Sequence, residues 1–241
     1  MNRLSVTLGV MLLLPMIGCA SRDDSSHDTS PTPSPSTDRP KAEPVAESTP
    51  AIESKASAES RVVEDLDREN ITFKTGAGDR AYEIKFKTDG AKLVDPEEQE
   101  LARFNVAGSK MKIKLPDDSV VAYIVAKDDE LQIRDESQQV ELFELKRQSD
   151  GDWKLKDGND ALLAVIKKRD YGYEIEDGNE QSLFKSKLKE DKRSLRNASD
   201  ETVLSTRGTI SPLCVAVLGL EQIESLPIRA GLATAVMLFH E

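Results

Sequence analysis

Laid out in rows of about twenty residues, the chain repeats itself: "LARFNVAGSKMKIKLPDDS", "VAYIVAKDDELQIRDESQQ", "ELFELKRQSDGDWKLKDGN", "ALLAVIKKRDYGYEIEDGN" and "QSLFKSKLKEDKRSLRNAS". Each row holds two short segments of alternating apolar and polar residues. A turn rich in Gly, Asp, Asn or Lys stands in the middle and another at the end. That is the rhythm of a β-meander. Met111, Ile113 and Leu115 point one way and Lys110, Lys112 and Lys114 the other; Tyr82, Ile84 and Phe86 oppose Glu83, Lys85 and Lys87. Trp153 and Leu155 oppose Lys154 and Lys156, and Tyr171, Tyr173 and Ile175 oppose Glu174 and Glu176. A period of two with one polar face describes an antiparallel sheet that is wet on one side.

Two strands per row from about Ile71 to Thr206 give roughly twelve to fourteen strands, with about twelve as the working number. An open sheet of that size leaves edges exposed, so closure is expected. The end of the chain, "SPLCVAVLGLEQIESLPIRAGLATAVMLF", reads as a helix with Ser211 as its N-cap and Pro212 at the first helical position. It is apolar nearly all round, so it is buried in protein or in a membrane. Spanning a bilayer would place Glu221, Glu224 and Arg229 near the centre, at about 2.5 to 3.5 kcal/mol each. A barrel of about twelve strands, by contrast, is too wide for its own side chains to fill. The expected fold is therefore mainly β: a closed antiparallel meander barrel of about twelve strands around one apolar C-terminal helix. Cys214 then reads as a small buried hydrophobe.

That combination, with the hairpins of "LFELKRQSDGDWKLKDGNDALLAVIKKRDYGYEIEDGNEQSLFKSKLK", resembles the tubby C-terminal-like superfamily, which includes the LURP-one-related proteins and the phospholipid scramblases. The resemblance covers roughly residues 61 to 241. It implies binding to phosphoinositides or membranes, as in some members, and assigns no pocket residue by residue. A scramblase carries its membrane segment after the barrel, whereas here the anchor precedes it.

That anchor is read from the other end of the chain. Arg3, the apolar run Leu4 to Leu14 and a small-residue approach to Cys19 have the anatomy of an export signal over residues 1–18. The run is about half the length needed to cross a bilayer. Met16-Ile17-Gly18-Cys19 resembles the bacterial lipobox, in which the cysteine thiol takes diacylglycerol and becomes the new N-terminus. An ordinary secretory signal that happens to contain a cysteine is the competing reading. Acylation of Cys19 is favoured by the residues behind it, since from Ala20 to Ser60 there is no aromatic residue and there are six of the chain's eleven prolines. Such a stretch cannot bury enough apolar surface to offset its ordering entropy, so residues 19–60 read as the acylated cysteine and a disordered Ser/Thr/Pro-rich tether, and residues 61–241 as the domain. His27 lies in the tether and reads as no metal ligand. Asp23 and Asp24 would repel anionic lipid weakly, under screening by salt. By the proteobacterial sorting rule that goes with the lipobox, Ala20 after the cysteine, rather than Asp, points to the outer membrane with the domain facing the periplasm.

Chemistry is scarce in the domain. Its one histidine, His240, is next to the last residue, so a Ser-His-Asp or Cys-His arrangement in a cleft is not expected. The carboxylates of "PDDS", "KDDE", "SDGD" and "DGND" sit where hairpins turn. Weak calcium sites at Asp150, Asp152, Asp157 or Asp160 are the lesser alternative, with no EF-hand spacing. "TGAG" at residues 75–78 is too short and too badly placed for a phosphate loop. Asn197-Ala198-Ser199 reads as a turn rather than a glycosylation acceptor. The lysines 110, 112 and 114 read as a solvated surface. The net charge of -11 speaks against a nucleic-acid partner. No enzyme, cofactor or metal is expected. Two functions remain: a membrane-tethered, non-catalytic module binding a lipid, polymer or protein, or a structural adaptor lipoprotein with a plugged barrel and a protein partner.

Overall fold

The computed structural model describes residues 68–240; Cys19, the export signal and the tether lie outside them. The strands run in hairpin pairs. The first pairs are β1 (Ile71–Thr75) with β2 (Arg80–Lys87), β3 (Gly90–Val94) with β4 (Glu100–Ala107), and β5 (Lys110–Lys114) with β6 (Val120–Lys127). Then come β7 (Glu130–Arg134), β8 (Glu141–Arg147), β9 (Trp153–Asp157) and β10 (Leu162–Arg169). The last are β11 (Gly172–Asp177), β12 (Ser182–Lys189), β13 (Lys192–Asn197) and β14 (Thr202–Arg207). Each pairs antiparallel with its neighbours in sequence, and β14 pairs with β1 to close a barrel. The closed antiparallel meander is as expected, but the strands number fourteen, not about twelve. The extra pair is β14 with β1, a hairpin split between the two ends of the domain and so invisible as a row of the repeat.

The two ends of the barrel differ. Short turns such as Thr88–Asp89 close one end, and seven wider turns, from Thr75–Asp79 to Asn197–Glu201, close the other. In each wide turn the first residue's N–H reaches the last residue's carbonyl, as in Asp95 to Gln99 at 2.9 Å and Asp177 to Gln181 at 3.0 Å. Side chains reinforce it: Asp95 Oδ1 accepts from the Gln99 N–H at 2.7 Å, and Asp157 Oδ1 accepts from the N–H groups of Asn159 and Ala161 at 2.9 Å. Each has one residue of positive φ, namely Gly78, Glu98, Asp118, Gln138, Asp160, Glu180 and Asp200; it is next to last in six turns and third from last in the longer Asp135–Val140 turn. The alternation and turn chemistry of the repeat are thus one device used seven times.

Inward residues Phe104, Met111, Ile113, Ile124, Leu145, Leu155 and Ile166 are wholly buried, each stabilising by about 1.5–3 kcal/mol relative to exposure. The end of the chain supplies the rest of the core, as two helices rather than the one expected: α1 (Pro212–Leu218) and α2 (Leu226–Phe239). Ser211 caps α1, its hydroxyl accepting from the Leu213 N–H at 3.0 Å, with Pro212 opening the helix. The break has a local cause. Pro227 has no N–H and fits only a first turn, so the chain must stop and restart, and the polar Glu221, Gln222 and Glu224 lie in the link. α1 packs on β11–β13 and α2 on β4–β7. A fourteen-strand barrel is wider than the eight-strand barrels that side chains alone can fill, and a helical hairpin occupies that width where one helix would leave a void. The Ser186 hydroxyl donates to the Pro212 carbonyl at 2.6 Å, tying α1 to the wall, and the buried Thr234 hydroxyl is satisfied by the Ala230 carbonyl at 2.8 Å. Among the described residues no helix is long and apolar enough to cross a membrane.

The outer face carries charge. Lys167 meets Glu176 at 2.6 Å, Arg169 meets Glu174 at 3.1 Å and Lys146 meets Glu130 at 3.0 Å. Glu176, assigned to the wet face by alternation, is nevertheless buried, because the stems of its cationic partners cover it. Tyr173 is only half-buried, for it stands near the rim.

Candidate functional site

Closure of the barrel is its least regular part. β10 and β11 match over six residue pairs, but β14 and β1 match over two, Lys74 with Ser205 and Thr75 with Leu204. Toward the short-turn end the two strands separate, and the Thr206 hydroxyl, not a backbone N–H, reaches the Thr72 carbonyl at 2.8 Å. Two clefts lie along this seam. One, of about 390 Å³, runs over the outer face between Thr72, Lys74, Gly78, Lys192, Ser205 and Arg207. The other, of about 490 Å³, sits at the rim, where Ile71, Phe86, Ile210 and Met237 meet Arg68 and Arg207. The first is lined by hydroxyls and cations, the second by apolar groups under a cationic edge.

Arg207 is held on one side by Asp191, its Nη1 lying 2.6 and 2.8 Å from the two carboxylate oxygens. Arg207 in turn holds the Asp191 carboxyl below the usual range for an aspartate. Lys74 forms no ion pair or hydrogen bond among the described residues. An anion in this cleft would meet an unengaged ammonium and a floor of hydroxyls.

The carboxylates singled out in the sequence do not converge. Asp150 and Asp152 belong to the turn before β9 and Asp157 and Asp160 to the turn after it, roughly 17 Å of strand apart. Each has a local role. Asp150 accepts from the Asp152 N–H at 3.0 Å, Asp152 from the Lys168 N–H at 2.7 Å, and Asp160 pairs with Lys156 at 3.3 Å. No group of three or more His, Cys, Asp and Glu is set to hold a metal among the described residues. Asn197, Ala198 and Ser199 form a wide turn, as expected. Lys112 lies over the Tyr123 ring at 5.5 Å and Lys114 near Asp118 at 3.5 Å, parts of a solvated surface. Cys214 is buried in α1. His240 stacks edge-on against Trp153 at 5.3 Å, and burial pushes its pKa down. The lipidation residue Cys19, with His27, Asp23, Asp24 and Ala20, lies outside the described residues.

The seam itself was not legible. "TGAG" is the one sequence signal that lies in it, as the wide turn between β1 and β2.

No family model matches the chain, and no curated protein matches it. Among solved structures, an X-ray structure of a protein from Arabidopsis thaliana is similar over 69% of this chain and 100% of its own, at 12% identity and a TM-score of 0.36. The architecture stands on its own strand pairing.

Proposed function

We propose that the chain is a lipid-anchored, non-enzymatic bacterial lipoprotein, held to the outer membrane by acyl chains on Cys19 and presenting its barrel to the periplasm as a binding module. The anchor rests on the lipobox-like Met16-Ile17-Gly18-Cys19 and on the tether behind it. The likeness to the tubby C-terminal-like superfamily is kept as a proposal as well, and fourteen strands around a helical hairpin differ from the twelve around one helix on which that likeness rests.

The observation that carries the binding reading is where space is found. Val215, Val217, Leu220, Leu232 and Val236 in the lumen are wholly buried, whereas the cleft of about 390 Å³ lies outside the barrel wall. A ligand is therefore taken at the seam, in this outer cleft or in the rim cleft of about 490 Å³ whose wall includes Met237 of α2, rather than threaded among the wholly buried residues of the core. The ion-paired outer face supports a domain bathed in water rather than in lipid, since a membrane barrel turns an apolar band outward. The alternative, a structural adaptor with a protein partner, is favoured by the filled lumen and by Val203, exposed on β14 beside the seam.

Fractionation of cells carrying the wild-type chain or Cys19→Ala tests the anchor: the variant leaves the membrane fraction, and a variant that stays there contradicts the proposal. Crosslinking in those cells from a photoreactive group at Val203 separates ligand module from adaptor, because an adaptor captures a protein there.

A further inference from the structure

The seam is a seventh copy of the wide turn with one part missing. In the other copies the positive-φ residue carries a polar side chain, and in four it is a carboxylate that meets cations. Asp118 lies 3.5 Å from Lys114 and 3.1 Å from Arg103; Asp160 lies 3.3 Å from Lys156. Asp200 lies 3.2 Å from Arg196 and 2.6 Å from Lys187, and Glu98 pairs with Lys85 and, at 2.7 Å, with Arg80. These contacts hold Glu98, through Lys85 first, and Asp200, through Lys187 first, below the usual carboxylate range.

The seam keeps the cations. Lys74 stands four residues before the turn position, as Lys114, Lys156 and Arg196 do, and Arg207 stands in β14 where Lys187 stands in β12. The carboxylate is absent, because the turn residue is Gly78 at φ +97°. A β-carbon placed there would meet nothing within 4 Å, and the space belongs to the cleft lined by Lys74, Ser205 and Arg207. A chain with a net charge of -11 thus leaves beside this turn a lysine, Lys74, without an ion pair among the described residues, and an arginine, Arg207, held by Asp191 on one side only.

We propose that this cleft is a carboxylate-binding site, in which a ligand's carboxylate takes the position that the turn's own acid holds in the other copies. The proposal rests on the reading of the barrel as a binding module and names the chemistry of its ligand. The carboxylate comes from a small free acid or from the acidic side chain of an extended peptide, which the parted strands at Thr72 and Thr206 would suit.

The test is a titration of the full chain, purified in a nonionic detergent, with succinate and with a blocked triglutamate peptide, followed by amide shifts of residues 72–79 and 202–207. The wild type is expected to saturate with at least one probe. Saturation by succinate identifies a small acid as the source, and saturation by the peptide alone a peptide. Gly78→Asp restores the internal acid and is expected to weaken binding about tenfold, with a lowered thermal midpoint because φ +97° strains any side chain; Lys74→Ala, which leaves the turn backbone alone, is expected to weaken binding similarly. Binding unchanged in both variants overturns the proposal, as does inorganic phosphate outbinding both carboxylates. A wild type that responds to neither carboxylate overturns this site alone; the module reading falls with it only if the crosslinker at Val203 also captures a protein, the outcome that marks an adaptor.

Discussion

The hydroxyl of Thr206 donates to the carbonyl of Thr72 at 2.8 Å, joining strands 134 residues apart in sequence where their ladder has parted. Barrel closure hangs on two residue pairs and this one side chain. Thr206→Val keeps the shape and removes the donor, so a loss of about 1 kcal/mol is expected. Hydrogen exchange should quicken in β1 and β14 and stay unchanged in β4 and β5; uniform quickening would show that the seam is no weaker than the rest.

Gly231 lies on α2 where a β-carbon would stand 2.5 Å from Ile113 Cδ1 and 3.4 Å from Phe104 Cε1. Gly231→Leu should overpack the lumen and destabilise by roughly 2–3 kcal/mol in urea denaturation. Adding Ile113→Ala should recover part of that loss, so the double-mutant cycle departs from additivity. Simple addition would mean that α2 does not face β5.

His240 is neutral in the fold because burial outweighs the nearby Asp129 carboxylate, and Arg147 adds to the effect. Its folded pKa lies below the ordinary 6.5, so its contribution is fully present above pH 6.5 and lost as pH falls below that value toward the folded one. Trp153 stacks on this ring and is the chain's one tryptophan, so its fluorescence reads the change. Stability should fall between pH 7 and 5 in the wild type, and His240→Phe should flatten that slope.

The carboxylates of the outer face act at lower pH. Glu98, Glu130 and Asp200 are held down first by Lys85, Lys146 and Lys187, so their stabilisation is complete above the ordinary values of 4.5 and 3.8 and lost as pH falls through the lower folded ones. Denaturation midpoints should drop below about pH 4, and less steeply in high salt, which screens such exposed pairs. Curves that coincide at low and high salt would contradict this origin.

Alternation made the strands legible because each inward side chain is paired with an outward lysine or glutamate one residue away, as at Met111 and Lys112. The helix start was legible in Ser211-Pro212, but its break was not, since the pattern is apolar on both sides of the link and Pro227 does not interrupt its hydropathy. The strand count was short because the closing pair joins residues 71–75 to 202–207, and a repeat split between the ends of the domain has no row of its own. The seam escaped for a different reason. Its character comes from a side chain that Gly78 lacks, and such a lack has meaning only once Glu98, Asp118 and Asp200 are seen to occupy the same place in their turns.

Fold and site alike depend on α1 and α2 filling a closed barrel, and the thiol of Cys214, wholly inside α1, reports on that directly. In the full chain carrying Cys19→Ala it is the sole cysteine, so its labelling by a disulfide reagent can be followed across a urea series. A filled lumen predicts labelling in native buffer at least about a thousandfold slower than in the unfolded chain, with an opening free energy equal to that of global unfolding. Labelling in native buffer at the rate of the unfolded chain would place the helices outside the wall and contradict the architecture.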